Sequence, residues 1–255
     1  MSDQVIASVQ DRVLTIIMNR PEKKNALSGA MYTAMTEALS RGDADSSIRA
    51  IVMRGAENCF TAGNDISDFA TARPGQSSPA IRYLETLAAT VKPVLAAVSG
   101  VAIGIGTTML LHCDLVYATE GSRFQLPFVN LGLCPEAGSS LILPALMGMH
   151  RAAELLLFGE PFDTRMACTL GIVNQVIPAA QLLPTVTAKA QQLAQKPPAA
   201  LRTTKMLMKS GQAEAIRQAM AREGQNFAAL LQGPEAREAM AAFLERRMPD
   251  FSTFF

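Results

Sequence analysis

The chain has 255 residues, 49% hydrophobic and 18% charged, a balance that excludes disorder and calls for one large packed domain, or one domain with an appendage. Lys plus Arg number 23 against 22 Asp plus Glu, and a net charge of +1 gives no global field to draw in nucleic acid. With no Trp and only 5% aromatic residues there is no stacking platform for bases either.

From Val5 to Met18 the pattern alternates and then fills with Val, Leu and Ile around Asp11-Arg12, which predicts two antiparallel strands and a turn. Ser28 is a good N-cap for a helix through Met31, Met35 and Leu39, with Gly42 and Asp43 as its stop. Ile51 to Arg54 reads as a short buried strand. Ala70 to Ala80, rich in Pro, Gly and Ser, reads as a surface loop, and a second helix is expected over about Pro79 to Ala89. Pro93 to Val98 forms a strand, Gly104 to His112 an apolar helix, and Asp114 to Ala118 another strand. This alternation predicts an α/β core.

After Pro197 no strand pattern remains. Ile216, Met220, Phe227, Leu230 and Leu231, then Met240, Phe243 and Leu244, recur at helical spacing and should bury against the core or a neighbouring subunit. The boundary divides a core, residues 1–196, from a helical region, residues 197–255. Four scattered cysteines without CxxC spacing are expected to be buried free thiols, in keeping with a reducing cytoplasm. Met1 to Val5 lacks the signature of a signal peptide, and the apolar stretch Val91 to Leu111 is too interrupted to cross a membrane. Ser252 to Phe255 is no peroxisomal address, and no His, Cys or carboxylate group has metal-ligand spacing.

Two glycine-rich loops carry the chemistry. Phe60-Thr61-Ala62-Gly63-Asn64-Asp65-Ile66 follows a strand, and its small residues would let a ligand approach main-chain NH groups; a glycine turn capped by Asp65 accounts for the same residues. Ser99 to Gly106 opens a helix whose first NH groups lack intrahelical partners and lie at the positive end of the dipole; tight strand–helix packing is the alternative. Together such loops suit an oxyanion hole for a carbonyl.

With Asn19-Arg20-Pro21, Asn25-Ala26-Leu27, Cys113-Asp114, Pro127 and Leu131-Gly132, these segments resemble the enoyl-CoA hydratase/isomerase, or crotonase, superfamily over nearly the whole chain. The resemblance implies a spiral of ββα units, oligomerisation as a trimer or hexamer through C-terminal helices, and an acyl-CoA thioester substrate with no separate cofactor. It also places oxyanion-hole NH groups at Asn64 and Ile105, beside Gly104. Lys24, Ala26 and Leu27 would hold the adenine and ribose of CoA, and Ala62, Gly63, Asp65 and Ile66 would line the pantetheine path. A solvated lysine explains Lys24 equally well. Where the family often has a phosphate-reaching lysine, this chain has Ser67 and Asp68.

The family's hydratases add water with two glutamates, and the corresponding positions here are Thr108 and Phe128, neither of which is a carboxylate base. One acid remains nearby, in Leu131-Gly132-Leu133-Cys134-Pro135-Glu136, a pattern resembling the peroxisomal type of 3,2-enoyl-CoA isomerase, where that glutamate is the base. Moving a proton from C2 to C4 needs only one carboxyl. A helix start with Pro at its first position and an acid in its first turn explains Glu136 as well. The resemblance therefore implies an isomerase with Glu136, Asn64 and Ile105 catalytic. Its rivals are a hydratase or other lyase on an unusual acyl group, and a non-catalytic acyl-CoA binder. His112 is expected to be packed or at an interface rather than catalytic.

Overall fold

The computed structural model describes residues 3–65 and 78–254. Strands β1 (Val5–Gln10) and β2 (Val13–Met18) pair antiparallel from Val5 opposite Met18 to Gln10 opposite Val13. Asp11 and Arg12 join them, both with positive φ (50° and 65°), the two-residue turn whose twist matches a hairpin. Strands β3 (Ala50–Gly55), β4 (Val94–Val98), β6 (Leu115–Thr119) and β9 (Gln175–Ile177) continue in parallel, giving the order β1-β2-β3-β4-β6-β9. A smaller sheet has the order β5-β7-β8, built from Val101–Ile103, Arg123–Gln125 and Phe162–Asp163. Strands β4 and β6 enter the large sheet while their successors β5 and β7 enter the small one, and a helical segment follows each pair, which is the expected ββα spiral.

The strand period of two sorts the core. Leu14, Ile16, Ile51, Met53, Val94 and Ala96 face helices α1 (Gly29–Ala44) and α2 (Pro79–Ala89), while Val13, Val52, Leu95 and Ala97 face α7 (Leu182–Ala194). Ser28 caps α1 as expected, its Oγ accepting from the Met31 NH at 3.3 Å. The expected stop at Gly42 is wrong, because α1 continues to Ala44. Gly42 is a packing glycine: a Cβ there would lie 2.4 Å from Leu14 Cδ2. The expected loop ends at Ser78, since Pro79 and Ala80 already belong to α2, and its residues 70–77 lie outside the described ones.

The helix expected over Gly104 to His112 is divided. A four-residue α3 (Ile105–Thr108) gives way to a 3-10 turn, Met109–His112. Downstream lie α4 (Ser139–Met147), α5 (Met149–Phe158) and α6 (Thr164–Thr169). All four cysteines are free, but each is half-buried rather than buried as expected.

The C-terminal region forms α8 (Pro198–Leu231) and α9 (Pro234–Glu245). Met220, Phe227, Leu230 and Leu231 pack back on the main core, whereas Met206, Leu207, Met208, Phe243, Leu244 and Met248 remain exposed. Polar anchors fix α8 as well. Lys205 Nζ, buried, donates to the Lys92 carbonyl at 2.7 Å and pairs with Asp114 Oδ2 at 2.6 Å, while Lys209 donates to the His112 carbonyl. Among the described residues no helix is long and apolar enough to cross a membrane, and no cluster of potential metal ligands occurs.

Candidate active site

Three loops converge at the ends of β2, β3 and β5. The first, residues 20–27, turns through left-handed Lys24 and Asn25. Buried Asn25 ties it down: Oδ1 accepts from the Arg20 NH at 2.8 Å, and Nδ2 donates to the carbonyls of Ala56 and Cys59 at 3.1 and 2.7 Å. Arg20 reaches across to Asp65 Oδ2 at 2.5 Å and to the Ala26 carbonyl. Asp65 therefore pairs with an arginine. Its own NH donates to the Leu27 carbonyl, and the Ala62 NH donates to the Lys24 carbonyl. The Lys24 ammonium is exposed, with no protein partner among the described residues. Ile66, Ser67 and Asp68 lie outside the described residues.

The second and third loops touch along their backbones. Thr61 and Ala102 form an isolated parallel bridge, and the Ile103 NH donates to the Thr61 carbonyl at 3.2 Å. Two glycines permit this approach. A Cβ on Gly63 (φ 94°) would sit 2.7 Å from the Ile103 carbonyl oxygen, and one on Gly106 would sit 2.7 Å from Thr61 Cγ2. The Asn64 and Ile105 NH groups are brought into this junction, and neither finds an acceptor among the described residues. Close packing and free donors thus occur together. Tyr32 on α1 holds the Asn64 side chain by donating to its Oδ1 at 2.5 Å. Because α3 spans four residues, the expected contribution of a long helix dipole is replaced by the local donor at Ile105.

Facing this junction is the segment from Pro127 to Ser140. Phe128 and Thr108 are both buried. Glu136 is only partly exposed, and Thr108 Oγ1 lies 3.5 Å from its Oε1. The expected helix start at Pro135-Glu136 is not found, because Ala137 (φ 62°) and Gly138 (φ 72°) are left-handed and α4 begins at Ser139. Glu136 therefore caps nothing with its side chain. Burial first, then repulsion from the Glu223 carboxylate, push its pKa up to about 8 against a small opposing pull from Thr108. With no helix turn beneath Glu136 to pull its pKa down, burial sets the direction.

Two supports hold this segment. His112 is buried, and burial pushes its pKa down to about 4, so it is neutral and its Nε2–H donates to the Ala137 carbonyl at 2.8 Å. That makes it a packed strut, as expected. The second support was missed from sequence. Glu223 of α8 is buried, and its carboxylate accepts from the NH groups of Gly138 and Ser140 at 2.5 and 2.9 Å and from Ser140 Oγ. The first turn of α4 receives its acid from a distant helix. A signal existed: Glu223 falls between Met220 and Phe227 on the apolar stripe of α8, where a carboxylate needs a buried partner.

The sequence pattern of the enoyl-CoA hydratase/isomerase family matches residues 8–253. The chain belongs to the enoyl-CoA hydratase/isomerase family. It is 34% identical to 2,3-dehydroadipyl-CoA hydratase of Escherichia coli (strain K12), over 97% of this chain and 98% of that one. It is 31% identical to enoyl-CoA delta isomerase 2 of Rattus norvegicus, over 96% of this chain but 64% of that longer protein. Among solved structures, Pseudomonas aeruginosa OdaA superposes with a TM-score of 0.93 at 43% identity, covering 96% of this chain and all of the other. Hydratases and isomerases both stand among the relatives, so membership in the enoyl-CoA hydratase/isomerase family establishes the enzyme class and implies an acyl-CoA thioester, while the choice of reaction rests on the site.

Proposed function

We propose that the protein is an acyl-CoA isomerase that moves a 3-enoyl double bond to the 2-position. The observation that carries this reading is the placement of Glu136, whose Oε1 lies 3.5 Å from Thr108 on the short helix that begins at Ile105, with Thr108 and Phe128 at the positions where the resemblance puts the hydratases' two glutamates. Glu223, the other carboxylate nearby, is held by three donors of its own. Glu136 in its ionised form removes the proton at C2 of the thioester. The developing enolate oxygen accepts hydrogen bonds from the Asn64 and Ile105 NH groups, fixed donors that need no reorganisation as charge grows. Glu136, now protonated, returns the proton to C4. One base serves both steps and ends the cycle as it began. Its high proton affinity makes it a stronger base than an ordinary carboxylate, suited to a weakly acidic C–H.

In this reading Lys24, Ala26 and Leu27 hold the nucleotide end of CoA, and Ala62, Gly63, Asp65 and Ile66 follow the pantetheine arm. CoA enters as part of the substrate, with no further cofactor called for. Residues 1–196 bind substrate and residues 197–255 build a homotrimer or hexamer. The reading is tested with purified protein on 3-hexenoyl-CoA and crotonyl-CoA. Conjugated product from the first is expected, with hydration of the second at least about a thousandfold slower, a barrier gap of roughly 4 kcal/mol. Comparable hydration would establish a hydratase instead. No turnover of either, with binding intact, would leave an acyl-CoA binder.

A further inference from the structure

Glu136 depends on a segment that holds an unusual conformation. Ala137 is a non-glycine residue with φ 62°, and Gly138 follows it with φ 72°. Left-handed alanine carries a steric cost, of order 1 kcal/mol or more, and persists only when its surroundings dictate it. His112 fixes the Ala137 carbonyl from below. On the other side, the Glu223 carboxylate takes the NH groups of Gly138 and Ser140 and the Ser140 hydroxyl. Helix α8 lies close against the turn itself: a Cβ on Gly138 would be 3.2 Å from Ile216 Cγ2 and 3.4 Å from Met220 Cγ.

Resting on the reading of Glu136 as the base, we propose that Glu223 is its positioning residue, locking the left-handed Ala137-Gly138 turn that presents Glu136 to the substrate. A neutral side chain could supply part of the geometry, but a carboxylate matches three donors at once, and hydrogen bonds to a charged acceptor are the stronger kind. The same carboxylate adds a negative charge beside the base. The groups bearing on Glu136 are Glu223 from α8 and Thr108 from α3, with Cys134 in the same segment; Lys209 acts on His112 behind them.

Two variants separate geometry from charge: Glu223→Gln keeps size and removes the charge, while Glu223→Asp keeps the charge and shortens the reach. The Glu136 carboxyl is titrated in substrate-free protein by infrared difference spectroscopy, its band assigned by loss in Glu136→Gln. Turnover of 3-hexenoyl-CoA is measured alongside. In Glu223→Gln the titration midpoint should fall by about one pH unit, and kcat by about tenfold with KM within a few fold. In Glu223→Asp the midpoint should hold while kcat falls several fold. A folded Glu223→Gln protein whose midpoint is unchanged would overturn the proposal, even with lowered thermal stability, because that pattern marks a merely structural role. If Glu223→Gln does not fold, Glu223→Asp with wild-type kcat overturns it. If wild type does not isomerise at all, the functional reading fails, and the titration still decides on Glu223.

Discussion

Glu136 alone sets two pH dependences with opposite directions. The ionised form is the base, so kcat/KM for isomerisation should rise with pH and level off above about 8, where the carboxyl loses its proton. Stability should run the other way. The folded chain keeps that proton up to about 8 while the unfolded chain releases it near 4.5, so between these values the folded state binds more protons and is destabilised as pH rises. Urea unfolding at pH 5 and pH 8 should show this loss in wild type and a smaller one in Glu136→Gln, which has nothing to titrate. The same variant should lose isomerisation by about a hundred to ten thousand fold with CoA-ester affinity within a few fold. Retention of more than about a tenth of the rate would remove Glu136 from the role. The donor side has its own test. Tyr32→Phe frees the Asn64 side chain, and kcat should fall several fold with stability lowered by about 1 kcal/mol, read by kinetics and calorimetry.

Elements were legible from sequence where local chemistry decides them. Asp11-Arg12 made a hairpin and Ser28 made a cap because each acts within a few residues of itself. One glycine misled, since its reason here is distance and not flexibility. Gly42 reads as a stop but sits inside α1 against Leu14. Gly106 falls in the loop for which tight strand–helix packing is the alternative reading, and it marks where α3 presses on Thr61. Gly106→Ala should therefore cost about 1–3 kcal/mol by overpacking, despite better helix propensity, and should lower kcat by displacing the Ile105 NH. Thermal unfolding of the variant with wild-type midpoint would contradict the close approach. At the site, Glu136, Asn64 and Ile105 were legible as motif positions. Glu223, Tyr32 and the Arg20–Asp65 pair were not, because each partner is distant in sequence and no spacing encodes it.

At the scale of the molecule, the C-terminal helices carry apolar residues on two faces. Their inner face closes the core, and their outer residues Met206, Leu207, Met208, Phe243 and Leu244 present apolar surface to water. Light scattering should report three or six copies; a stable monomer would contradict the assignment of 197–255 to assembly. Ending the chain near Gln195 removes Lys205 from Asp114 and Glu223 from the α4 turn, so that shortened protein should aggregate or unfold.

Lys205 and Glu223 stand 18 residues apart on one unbroken helix, close to five full turns, and this spacing places both on the inward face. Helix α8 is thus a rod about 27 Å long between the two anchors, gripped at Asp114 at one end and at the α4 turn at the other. One residue inserted between them would rotate the far end by about 100° and carry Glu223 out of the site, though every loop motif stayed intact. An alanine inserted between Ser210 and Gly211 should accordingly cost more activity than one inserted after Gln232, beyond the rod. A relative could therefore match each signature loop and still hold its base differently, solely through the phase of a helix remote from the chemistry.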